Sequence, residues 1–335
     1  MDIARIVQHW PVEFSAEALG SAKRPTTGLL NKTFLLREAG VLYVLQSVHP
    51  AVAFDGSFKN YDNVTQFLKS KGFQTQTFVR TNSGALWHEE EGARWRLLVG
   101  VEGVTHEFTT DPALAREAGS FLGSFTDVLA SYPHALDEGR RSFVYEGEIE
   151  RLDLYHDELM HDPDPRMGEA AELLLRELPH LLLPKDLPER IIHTDPKISN
   201  FLFSSDGRAV SMIDLDALQV LSPLYDLGDA IRSWCGQAED DPNNTFNSGI
   251  YEALVKGYTG ALKTSPLSER EVALIPNAAK LVMLGLTTRF LNDYIDDSYF
   301  GWDATRYTSR KDHNKARVMG QLSLYKTFEK FQANI

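Results

Sequence analysis

His193-Thr-Asp195-Pro-Lys197-Ile-Ser-Asn200, continued at Met212-Ile-Asp214-Leu-Asp216, is the stretch whose reading decides the fold. A carboxylate is followed five residues later by an amide, and a second carboxylate ends an apolar run fourteen residues after the amide. That arrangement suits phosphoryl transfer. One carboxylate orients or deprotonates an acceptor hydroxyl, while the amide and the second carboxylate hold Mg²⁺ against nucleotide phosphates. Each residue alone has a plainer reading; for Asp214 and Asp216 it is a surface turn, less credible for Asp214 than for Asp216. Asp-Pro favours an Asx-turn, an Asn before a strand serves as an edge cap, and Asp216 fits a surface turn. Asp214 resists such a reading, because a carboxylate after Val210-Ser-Met-Ile is costly to bury unless paired or metal-bound. Asp216 lies on the same face two residues on, as a second ligand or a substrate contact. The combined spacing, with apolar strands on both sides, is far more specific than any member.

Working outward, Arg190–His193, Asn200–Phe203 and Val210–Asp214 read as short strands, with a turn at Asp206-Gly207. The chain before them divides in two. Residues 2–10 form a short amphipathic pattern. The β-rich runs 33–37 and 41–46 flank Glu38-Ala-Gly40 and predict a hairpin. Apolar residues at 54, 58, 61, 64, 67 and 68 follow helical spacing up to a stop at Gly72. Strand-like runs follow at 78–80, 85–88 and 95–99. Gly100-Val-Glu-Gly103 then breaks the pattern as a hinge. Beyond it, helical patterns cover 111–131, 165–182, 225–234, 248–262, 268–298 and 312–333. The expectation is an α+β chain of two lobes: a β-rich N-lobe over 1–103 on the nucleotide side, and a mainly helical C-lobe over 104–335 carrying the catalytic loop.

The 335 residues, 43% hydrophobic and 24% charged, suffice for two cores. A formal net charge of −13 disfavours non-specific binding to nucleic acid or an anionic membrane. Cys235 is the single cysteine, which excludes an intramolecular disulfide and a Cys-based zinc site. No run approaches a membrane span and no secretory signal is apparent, so a cytoplasmic location is expected.

The His-x-Asp-x-x-x-x-Asn and apolar-Asp-x-Asp pair resembles the aminoglycoside phosphotransferase and choline kinase superfamily, whose fold is protein-kinase-like. Leu30-Asn31-Lys-Thr-Phe-Leu, Tyr43-Val-Leu-Gln46, Asn82-Ser-Gly-Ala-Leu-Trp87, Arg116-Glu-Ala-Gly-Ser-Phe, Asp226-Leu-Gly-Asp229-Ala-Ile-Arg232 and Arg289-Phe-Leu-x-Asp-Tyr294 extend the likeness. They bring it nearest to the N-acetylhexosamine 1-kinases. The resemblance implies Mg²⁺ and ATP, with Asp195 as the base for an anomeric hydroxyl. Asn200 and Asp214 become the metal ligands, and Lys197 a partner of the γ-phosphate. His193 orients the loop.

On the nucleotide side the same resemblance points to Gly28, Asn31, Gln46 and Val101. Gln46 departs from the usual kinase pattern, which has a lysine there for the α- and β-phosphates. It leaves Asp62, at the usual helix-acid position, without its ion-pair partner. Thr26-Thr-Gly28-Leu replaces a glycine-rich loop. On the acceptor side the implied residues are Asp216, Asp229, Arg289 and Tyr299. Plainer roles exist for some: an acid at Asp229 suits a helix start, with Arg232 as its partner. The basic set Arg306, Arg310, Lys311, Lys315 and Arg317 reads as a solvated helix face, or else as an electrostatic lip over an anion. The expected reaction is phosphorylation of the 1-OH of an N-acetylhexosamine or related hexose. The rivals are choline, homoserine, methylthioribose or aminoglycoside as acceptor, or a non-catalytic nucleotide- or sugar-binding protein. A metal-dependent hydrolase is a remoter reading, for which the histidines are too few.

Overall fold

Ala39 (φ 49°) and Gly40 (φ 79°) both take left-handed conformations and close the first hairpin, as a two-residue turn between twisted strands requires. The structure is a computed structural model that describes residues 2–25, 31–137 and 143–334. Its helices, in chain order, are α1 (Ile3–Val7), α2 (Ala16–Gly20), α3 (Asp55–Ser70), α4 (Pro112–Leu129), α5 (Tyr145–Met160), α6 (Pro165–Leu181), α7 (Leu224–Trp234), α8 (Ser248–Ala261), α9 (Glu269–Ala273), α10 (Ile275–Asp296) and α11 (Arg310–Gln332). The strands are β1 (Lys32–Glu38), β2 (Val41–Val48), β3 (Thr77–Val79), β4 (His88–Glu90), β5 (Ala93–Val99), β6 (Arg190–Ile192), β7 (Phe201–Phe203), β8 (Ala209–Met212) and β9 (Gln219–Leu221). None of the helices is long and apolar enough to cross a membrane, among the described residues.

The chain gathers into two compact units. One draws on Met1–Thr105, Ser131–Arg140 and Asn200–Gln219. The other draws on His106–Ala130, Arg141–Ser199 and Val220–Ile335. The β7–β8 hairpin belongs to the first of these units, together with Met1–Thr105.

In the first unit an antiparallel sheet runs β1-β2-β5-β3, with β4 also paired to β5. Alternation along the strands sends Leu36, Leu45 and Leu97 to one face, where they pack with Ile6, Val7 and Trp10. Val48, Phe58 and Leu86 form a second cluster that includes α3. The register sets Gln46 beside Thr33 on β1 and beside Arg96 on β5. The strand expected at 85–88 begins at His88 instead. Residues 81–85 are spent on a turn, closed by the Thr81 N–H to Ala85 carbonyl bond with Gly84 at φ 85°. Val104 bridges to Phe203 through two backbone hydrogen bonds of 2.8 and 2.9 Å. Gly103, read as a hinge, has a second reason to be glycine: a Cβ there would stand 2.9 Å from the Leu202 side chain.

In the second unit α4 and α8 pack backbone to backbone. A Cβ at Gly257 would lie 2.3 Å from the Arg116 carbonyl, and one at Gly119 2.6 Å from that of Leu254. The single helix expected over 268–298 is two. Ser268 and Glu271 form a capping box that starts α9, and Pro276, which has no N–H to lose, opens α10. Helix α5 had no counterpart in the sequence reading.

Candidate active site

In the second unit, β6 leads directly into the His193–Asp195 segment. His193 is fully buried, and its backbone N–H and that of Thr194 each donate 2.7 Å hydrogen bonds to the two oxygens of Asp226. Burial pushes the Asp226 carboxyl up to about 6, against the pull of His193 and the two N–H groups. Thr194 is left-handed (φ 72°), a conformation that costs a β-branched residue and turns the chain just before Asp195. Pro196 is held from behind by the Trp234 indole, which donates to its carbonyl at 2.8 Å.

Asp195 is partly exposed and accepts a 2.8 Å hydrogen bond from Lys197 Nζ. Burial pushes this carboxyl up; Lys197, with His193 and Arg232, outweighs it and holds it below its usual value. Asp195 is therefore ionised at neutral pH, the state a base requires. Asp229 lies buried and accepts from Arg232 Nε at 2.8 Å. Burial raises its carboxyl, Arg232 opposes, and the charge of Asp195 adds to the rise.

Arg289 projects from α10 with its Nε 3.9 Å from Glu148. Its guanidinium lies over the rings of Tyr299 (5.5 Å) and Phe300 (5.3 Å). The turn that carries those rings is anchored by Asp293, whose carboxylate accepts from the backbone N–H groups of Ser298, Tyr299 and Phe300. Sequence reasoning gave Asp293 no role, although it is the Asp of the Arg289-Phe-Leu-x-Asp-Tyr294 stretch. Tyr145 belongs to the same neighbourhood. Burial pushes its phenol well up, with Asp229 adding to the effect and Arg289 opposing it. Of the five cations Arg306, Arg310, Lys311, Lys315 and Arg317, four meet acids and Lys311 lies over the Tyr294 ring at 5.6 Å. Arg306 meets Asp240, Arg310 meets Asp297, Lys315 meets Asp164 and Arg317 meets Glu239. Four of the five cations are thus engaged by acids, which leaves little for a lip.

The other half of the motif belongs to the first unit. Asn200 is buried at the end of a 3₁₀ turn, and its carbonyl accepts from the Ile213 N–H at 2.9 Å. Asp214 is left-handed (φ 67°, ψ 48°) and partly exposed. The two offer hard oxygen donors of the kind Mg²⁺ takes. Asp216 is buried, where a surface turn was the plainer expectation. Arg96, only 1% exposed, grips it with both terminal nitrogens, Nη2 at 2.8 Å from Oδ2. Asn31 adds a 3.3 Å bond to the same oxygen. Burial lowers the Arg96 guanidinium, and Asp216 more than compensates. Its plane faces Tyr61 at 4.8 Å.

Gln46 belongs to this network, accepting from Arg96 Nε at 2.9 Å and donating to Thr33 at 3.1 Å. Asp62 does have an ion-pair partner: Arg80 Nη2 lies 2.5 Å from its Oδ2. Val101 follows Gly100, whose N–H donates to the Leu42 carbonyl at 2.7 Å. Gly28 lies outside the described residues.

A profile of the phosphotransferase enzyme family matches residues 21–258. The chain belongs to that family. It is 25% identical over 256 residues to a homoserine kinase of Caulobacter vibrioides, covering 76% of this chain and 77% of that one. With a homoserine kinase of Phenylobacterium zucineum it shares 26% over 296 residues, covering 88% and 84%. Among solved structures, a microcompartment-associated aminopropanol kinase superposes with a TM-score of 0.66 at 20% identity, covering 99% of this chain and 97% of that one. Amicoumacin kinase hAmiN, in complex with AMP-PNP, Ca²⁺ and Ami, gives 0.64 at 15%, covering 98% and 96%. The fold is accordingly protein-kinase-like, with an antiparallel sheet in the N-terminal part and helices in the C-terminal part. The protein is a small-molecule kinase of this family.

Proposed function

We propose that the protein transfers the γ-phosphoryl group of ATP to the anomeric 1-OH of an N-acetylhexosamine or related hexose. The observation that carries this reading is the Arg289 guanidinium over Tyr299 and Phe300, on a turn anchored by Asp293. An aromatic ring beside a guanidinium and acids suits a sugar, whose C–H face packs on the ring while its hydroxyls donate and accept. Asp229 and Asp216 are the further acceptor-side residues of this reading.

Asp195 accepts the proton of the 1-OH as the O–P bond forms. An anomeric hydroxyl is more acidic than other sugar hydroxyls, so a carboxylate base suffices. The bond between the γ-phosphorus and the bridging oxygen breaks, and ADP leaves. Lys197 follows the moving phosphoryl group. Asn200 and Asp214 would hold Mg²⁺, which when bound would neutralise phosphate charge. Asn31, Gln46, Val101 and Gly28 form the nucleotide side. Catalysis is then chiefly positioning and charge neutralisation.

A second reading has homoserine as the acceptor, supported by the names of the relatives and by one feature of the site. Arg289 and Glu148 place opposite charges 3.9 Å apart, a pattern that suits a zwitterion. Incubation with Mg·ATP and a panel of hexosamines, hexoses, homoserine, choline and aminoglycosides, read by ³¹P NMR, separates the two. A sugar 1-phosphate is expected. A 6-phosphate, or turnover only with an amine, would sink the first reading.

A further inference from the structure

His9 follows α1, and His88 and Glu90 sit two apart on β4, so their side chains leave the same face of that strand. We propose that these three residues form a site for a late first-row divalent ion, Zn²⁺ foremost, that ties the N-terminal helix to the sheet. Their ligand atoms all lie within 4.8 Å of one another. The individual spacings are more telling. Glu90 Oε2 is 3.4 Å from His88 Nε2 and 3.7 Å from His9 Nε2. A tetrahedral zinc with bonds of about 2.1 Å puts neighbouring ligand atoms about 3.4 Å apart.

Glu90 Oε2 is also buried, with no hydrogen bond shorter than its 3.4 Å contact to His88 Nε2. Burying an under-bonded carboxylate oxygen is costly, and a cation bound between it and the imidazoles offsets that cost. The backbone here is held independently of any ion. The His9 carbonyl accepts from Asn82 N–H at 2.8 Å, and the Trp10 indole donates to the Val79 carbonyl at 2.9 Å. The imidazoles themselves are stacked, with centroids 3.5 Å apart and planes at 15°. Parallel rings aim their lone pairs in parallel, so binding requires them to open toward the ion. The His9 side chain is 42% exposed, so its ring has solvent beside it into which to swing. Arg5 bonds the other Glu90 oxygen, Oε1, and also reaches Glu91 at 3.2 Å. An arriving ion takes Oε2 and leaves that contact, or shifts Arg5 toward Glu91.

Two imidazoles and one carboxylate, with a water as fourth ligand, select Zn²⁺, Ni²⁺ or Cu²⁺ over the hard Mg²⁺. The two ions are therefore distinguishable in one sample. The test uses the full-length protein, stripped with EDTA and returned to saturating Mg²⁺, titrated calorimetrically with Zn²⁺. One Zn²⁺ per chain is expected, together with a rise in melting temperature. Co²⁺ in its place should give the visible spectrum of a four- or five-coordinate ion. Outer-shell changes at zinc sites alone weaken binding by about 10–100-fold, so His88→Ala or His9→Ala should weaken it by more than about 100-fold. Both variants should keep Mg·ATP turnover. Should His88→Ala fail to fold, the half-exposed His9 supplies the reading by itself. Absence of saturable Zn²⁺ binding, or binding unchanged by His9→Ala, overturns the proposal.

Discussion

Lys197 lies 2.8 Å from the Asp195 carboxylate and is the largest influence opposing the burial that would raise that carboxyl. Removing the ammonium leaves burial less opposed, so Asp195 takes up its proton at higher pH. If Asp195 is the base, Lys197→Ala shifts the acid limb of the kcat/KM profile upward in pH and lowers kcat; an unmoved limb would show that the pair is not catalytic. Arg96 is the corresponding residue of the first unit, buried with three of its nitrogens on Asp216 and Gln46. Arg96→Met strands the Asp216 carboxylate, at a cost of about 3–5 kcal/mol. Adding Asp216→Leu should restore much of that loss, so urea unfolding of the double variant should fall short of the summed single effects. The roles proposed for Asp195, Asn200 and Asp214 were open to sequence reading because they cluster in one stretch. Gln46 was legible as a departure from the kinase pattern. Its partner was not, because Arg96 stands fifty residues away and only the β2–β5 register brings the two side by side. Arg80, the partner of Asp62, escaped because it follows β3 while Asp62 lies on α3, and only the packing of helix on sheet brings them together.

Elements declared themselves in proportion to how much of their surface they bury. Helix α3 and the β1–β2 hairpin show their period plainly, because a broad face or a whole strand side is apolar. Helix α5 does not: it buries only Tyr145, Leu152 and Leu159, one residue every second turn, among acids. That stripe is too narrow to stand out as an amphipathic pattern. Glycines in helices are likewise ambiguous in sequence, since packing alone decides whether they matter. Helix α8 contains both kinds. A Cβ at Gly257 would meet the Arg116 carbonyl at 2.3 Å, whereas nothing lies within 4 Å of one at Gly260. Gly260→Ala should stabilise the protein by about 0.5–1 kcal/mol through helix propensity. Gly257→Ala should destabilise it, by about 1–3 kcal/mol or more, because α4 cannot yield without shifting backbone. Equal effects of the two changes on the thermal midpoint would show that α4 and α8 do not approach as described.

For the whole molecule, reaction class and fold could be read from a short stretch of the chain, because phosphoryl transfer constrains neighbouring residues. The acceptor could not, since the candidates Asp216, Asp229, Arg289 and Tyr299 span more than eighty residues and reach their settings only in the fold. Global stability has a comparable hidden term in Asp226, which combines complete burial with the task of holding His193 and Thr194. Its carboxyl is raised from 3.8 to about 6, so the folded protein holds that proton more tightly than the unfolded chain. The resulting stabilisation is fully present below about pH 4 and is lost as pH rises through about 6. A shift of about two units corresponds to about 3 kcal/mol. Asp226→Asn is neutral throughout and lacks this dependence. At about pH 4 the two proteins should be close in stability, because protonated Asp226 and the amide each present one carbonyl oxygen to the backbone N–H groups of His193 and Thr194. Between there and pH 7 the difference should move in its favour by about 3 kcal/mol. Urea midpoints measured across that range test it, and a difference independent of pH would mean that Asp226 is ionised in the folded protein at every pH sampled.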